Sequence, residues 1–171
     1  RASEGSHWIS AFGIIDRDSR TDEDCERLQG EGVIPLNQYS VESLYYHPET
    51  IRAVLNRVAE VNGIDIDAAF AEMTKGVVAG FRDHQDRMAA RLVERRVRDS
   101  LLSHVPNWNQ ILSGNVEINY SSESILNDER QYIAGLIENS DIAGLISRYP
   151  ARETPALESV ARCLGFQSQE A

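Results

Sequence analysis

Apolar positions along this chain are patterned first for strands and then for helices. His7-Trp8-Ile9-Ser10-Ala11-Phe12-Gly13-Ile14-Ile15 is a short apolar run ending in β-branched residues, and it predicts a buried strand. Asp16-Arg17-Asp18-Ser19-Arg20 follows directly. Thr21 then has the character of an N-cap, with Asp22, Glu23 and Asp24 in the first helical turn, where acids favour the helix dipole. This helix carries Cys25 and Leu28 and should stop near Gly30 or Gly32. Val33-Ile34-Pro35-Leu36 reads as a second short strand. Strand, acidic loop, helix and strand make one βαβ unit, the signature of a parallel sheet.

Beyond Leu36 the period becomes helical. Pro48 suits the first turn of a helix running to Asn62-Gly63, with Ile51, Val54, Leu55, Val58 and Val61 as its apolar stripe. One or two long helices follow from about Asp67 to His104, with an interruption expected at Gly76 or Gly80. Pro106-Asn107-Trp108-Asn109 breaks the pattern, and Val116-Glu117-Ile118-Asn119-Tyr120 alternates like a short strand. Three further helices are predicted, at about 122–138, 142–148 and 154–164. The expectation is an α/β fold: a partial parallel sheet in residues 1–47, followed by a mostly α-helical body over 48–171.

Composition narrows the function classes. The chain has 171 residues, of which 42% are hydrophobic and 26% charged, as in an ordinary globular chain. No apolar run is long enough for a transmembrane helix, so no membrane partner is expected. Two cysteines without metal-site spacing read as reduced thiols of a cytoplasmic protein. The formal net charge of −10 argues against a general nucleic-acid coat. It leaves open a site that meets phosphate through a metal ion. Lys75 is the sole lysine, and the other basic residues are arginines, the better side chain for bidentate phosphate contacts. The chain opens on Arg1 rather than methionine, which suggests a piece of a longer protein.

The strongest chemical feature is the acid pair Asp16 and Asp18 at a strand end. Ligands of open α/β sheets bind beyond the carboxyl ends of strands. Residues two apart in extended chain point the same way, so both carboxylates can face one point. Two hard oxygen donors there suit Mg²⁺ or Mn²⁺. The alternative is a solvated loop in which the aspartates only form turns and caps. Haloacid-dehalogenase-type phosphatases and certain glycosyltransferases place such a pair after a strand, but Ser19-Arg20-Thr21 departs from the phosphatase pattern.

The run Phe12-Gly13-Ile14-Ile15-Asp16-Arg17-Asp18 resembles the Asp-x-Asp strand of Toprim domains, named for topoisomerases and primases. The helix and the Val33–Leu36 strand are similar to the next step of that fold. Gln38-Tyr39-Ser40-Val41-Glu42-Ser43-Leu44-Tyr45-Tyr46 resembles a segment of Toprim domains that accompany ABC-type ATPases, the OLD (overcoming lysogenization defect) nucleases and related anti-phage proteins. Ile146-Ser147-Arg148-Tyr149-Pro150-Ala151-Arg152-Glu153-Thr154 is similar to a tail segment of the same group. The resemblance touches residues 8–46 and 145–166. It implies that 1–47 are the C-terminal part of a Toprim-like domain. It further implies metal-dependent phosphodiester cleavage of DNA or RNA beside an ATPase partner, in anti-phage defence. Asp16 and Asp18 would then be Mg²⁺ (or Mn²⁺) ligands, Glu42 a third catalytic carboxylate, and Arg17 and Arg20 substrate-phosphate contacts. The family also uses a Glu on an earlier strand, which these residues do not supply, so the chain would be inactive alone.

Arg87, Arg91, Arg95 and Arg98 fall within an arc of roughly 80° on a helical wheel. That stripe is either a face for nucleic acid or a partner, or a solvated face balanced by Asp83, Glu94 and Asp99. Arg82 and Arg96 fall toward the apolar side, which suggests buried ion pairs or an interface. His7, His47, His84 and His104 have no zinc-helix spacing. From another class of function, the helical region would be a non-catalytic interaction or oligomerisation module of an ATPase-associated complex, and a homo-oligomer stays open.

Overall fold

The computed structural model describes residues 12–18, 20–103, 105–112, 114 and 121–166. The strand expected at Val116–Tyr120, together with His7 and His104, lies outside them. Strand β1 (Gly13–Ile15) pairs in parallel with β2 (Val33–Pro35), Gly13 opposite Val33 and Ile15 opposite Pro35. Helix α1 (Asp22–Gly30) makes the crossover. Its start is fixed by a capping box: the Thr21 hydroxyl accepts from the Asp24 N–H, and the Asp24 carboxylate accepts from the Thr21 N–H. Gly32, at φ 81°, turns the chain into β2 in a conformation that costs other residues strain.

The burial expected of β1 is not found. Phe12 is 70% and Ile14 65% exposed. The cause is that β1 has a hydrogen-bonded neighbour on one side only, in what is a two-stranded sheet among the described residues.

A 3₁₀ turn (Val41–Leu44) leads into α2 (Pro48–Asn62), whose Pro48 occupies the first turn and whose end is set by left-handed Gly63. Of the predicted stripe, Ile51 and Leu55 are buried, whereas Val54 and Val61 are exposed. Helices α3 (Ile66–Asp83) and α4 (Gln85–Ser103) replace the long helical stretch. The break falls at His84, not at Gly76 or Gly80. Those two glycines are instead where α8 (Ala156–Cys163) packs closest on α3. A Cβ at Gly76 would lie 2.8 Å from Ser159 Cβ, and one at Gly80 would lie 3.0 Å from the Ala156 nitrogen. The glycines are there for contact, so the helix continues through them.

Helices α5 (Trp108–Leu112), α6 (Glu123–Glu138) and α7 (Ile142–Arg148) complete the body, and a second 3₁₀ turn (Ala151–Glu153) precedes α8. The core is built from Leu55, Met73, Val77, Phe81, Ile133 and Leu145, all at most 2% exposed, with the Tyr149 ring tilted against Phe81 at 6.4 Å between centroids. Among the described residues no helix is long and apolar enough to cross a membrane.

Candidate active-site cleft

Because β1 and β2 are parallel, the segments leaving their carboxyl ends lie side by side and bond to each other. The Asp18 N–H donates to the Tyr39 carbonyl at 2.9 Å, and Asp16 Oδ1 accepts from the Val41 N–H at 2.8 Å. Asp18 sits at φ 50°, a left-handed conformation that Asp tolerates better than most residues. This turn ends the extended alternation at Ile15, so the two carboxylates take different partners. Asp16 caps the 3₁₀ turn. Asp18 faces Arg20 at 3.0 Å and Arg95 at 3.7 Å.

Arg20 binds the loop to itself, its Nη1 donating also to the carbonyls of Asp16 at 2.8 Å and Arg17 at 3.3 Å. Arg17 pairs with Asp22. Glu42 lies in the 3₁₀ turn beside the residue that Asp16 caps. Its carboxyl is held below the usual value by its own N–H and by the Ser40 side chain. Among the described residues, no group of three or more His, Cys, Asp or Glu side chains is placed to hold one ion. Asp16, Asp18 and Glu42 therefore do not form a single three-carboxylate cluster. The donor chemistry of Asp16 and Asp18 suits a hard cation, but the pair amounts to two ligands of such a site.

Of this loop, Arg17, Asp18 and Arg20 line a cleft of about 860 Å³ between the βαβ head and the helical body, and Asp16 and Glu42 do not. Arg17, Asp18, Arg20 and Asn37 form the head wall, while α4, α6 and α7 contribute Arg96, Glu129, Tyr132 and Arg148 to the other. Glu129 is the cleft's most buried charge, at 2% exposure. Arg148 grips it with both ends of its fork, Nε to Oε1 at 2.7 Å and Nη2 to Oε2 at 2.6 Å, and the Tyr149 hydroxyl also donates to it. Arg96 approaches at 3.7 Å. Burial alone would push the Glu129 carboxyl up; the hydrogen bonds from Arg148 and Tyr149 and the two cationic charges outweigh it and hold the carboxyl below its ordinary range. Burial and Glu129 together raise Tyr149, which keeps its proton.

The arginine stripe of α4 is engaged inside the chain. Arg87 donates to the Glu153 carbonyl, and Arg91 pairs with the Glu153 carboxylate. Arg95 lies 5.3 Å over the Tyr39 ring while reaching Asp18, and Arg98 pairs with Glu94 one turn back. Arg95 thus joins body to head. Arg96 makes the ion pair its position suggested, whereas Arg82 is exposed. His47 caps no N–H with its side chain, and His84 Nδ1 lies 3.0 Å from the Gly80 carbonyl. Cys25 and Cys163 are both free, and burial pushes the Cys163 thiol up, away from the reactive thiolate.

Sequence reasoning missed Glu129 and Tyr132. A signal was present: Glu129 stands four residues before Ile133 and eight before Ile137, an acid on the buried stripe of α6. An acid there needs a cationic partner, and Arg148 supplies it. The chain matches no family model, and neither the search of curated proteins nor that of solved structures gave a match.

Proposed function

We propose that this chain is part of a metal-dependent nuclease that works with an ABC-type ATPase partner in anti-phage defence. The observation that carries the reading is the Asp16–Asp18 pair at the carboxyl end of a parallel strand, with Asp18, Arg17 and Arg20 lining a cleft. Asp16 and Asp18 would hold Mg²⁺ or Mn²⁺, with further ligands from outside the described residues. Such an ion polarises a phosphoryl oxygen and lowers the pKa of bound water. Arg20 orients the Asp18 carboxylate, and Arg17 and Arg20 place positive charge beside the scissile phosphate.

Calorimetry with Mn²⁺ on the chain, and a cleavage assay on the longest protein that contains it, test this reading. Asp16→Ala/Asp18→Ala should remove ion binding, and Asp16→Ala should abolish cleavage without unfolding the protein. Cleavage that is unchanged in Asp16→Ala refutes the assignment.

A second reading, a non-catalytic interaction or oligomerisation module, is favoured by one observation. From the end of α4 through α5, Leu102, Val105, Trp108, Ile111 and Leu112 are all 60% exposed or more. Light scattering of the chain and of a Trp108→Ser/Ile111→Ser variant tests it. Self-association lost in the variant supports the module, and a monomer in both cases argues against it for a second copy.

A further inference from the structure

We draw no further inference here: the strongest candidate, the apolar surface patch that Phe12, Ile14 and Ile34 present on the sheet of β1 and β2, carries none because nothing in the structure shows what covers it.

Discussion

Replacing Glu129 by glutamine keeps the outline of the side chain and removes its charge. The carboxylate accepts two bonds from Arg148 and one from Tyr149, with Arg96 at 3.7 Å. The amide offers one acceptor oxygen and turns N–H groups toward a guanidinium, donor against donor. Removing one partner of a buried pair costs about 3–5 kcal/mol. Here the side chains of Arg148 and Arg96 are 31% and 35% exposed, so the stranded cations recover part of their hydration. The expected loss is therefore smaller, about 2–3 kcal/mol. For a chain of this size that is a fall in Tm of about 4–12 °C.

Thermal and urea unfolding followed at 222 nm measure it, and the pH dependence tests its cause. The Glu129 carboxyl is lower in the folded protein than in the unfolded chain. Its contribution is thus fully present above the unfolded value, about 4.3, and is lost as pH falls through the lower folded value. The gap between parent and Glu129→Gln should be constant from neutral pH down to that region and close below it. An unchanged Tm at neutral pH, or a gap that persists undiminished in acid, refutes the electrostatic account of this cluster.

Two glycines should respond to alanine with opposite signs. Gly80→Ala forces a Cβ against the Ala156 backbone, and the overpacking of about 1–3 kcal/mol should outweigh a helix-propensity gain of about 1 kcal/mol. Gly135→Ala in α6 meets nothing within 4 Å and should stabilise by about 0.5–1 kcal/mol; the two Tm shifts, measured side by side, check both. Thr21→Ala removes the cap of α1 and should cost about 1 kcal/mol, seen as faster amide exchange confined to α1. Arg95→Gln breaks the contact of α4 with Asp18 and Tyr39, and exchange at the Asp18 amide should rise while the core amides stay protected.

Local signals were the legible ones. The Thr21 cap, the Pro48 start, the Gly63 stop and the βαβ unit could all be read because each depends on residues a few positions apart. The exposure of Phe12 and Ile14 could not, since composition predicts a strand but not how many neighbours it has. Gly76 and Gly80 look like helix breakers until α8, far along the chain, is seen to need their missing side chains. At the end of β1, Asp16 and Asp18 were visible, yet the left-handed turn at Asp18 that separates their partners was not. Glu129, Arg96 and Arg148 come from three helices, and only the folded body brings them to one place.

The tight seam between α3 and α8 has a consequence for how the chain acquires its structure. Helices α4, α5, α6 and α7 all lie between the two partners in sequence. Closing so long a loop is entropically costly, and contacts of this kind form late. As the polypeptide emerges from the ribosome, the glycine groove of α3 stays without its counterpart until nearly everything described here has been made. The order of synthesis thus leaves the α8-facing side of α3 uncovered until the described chain is almost complete.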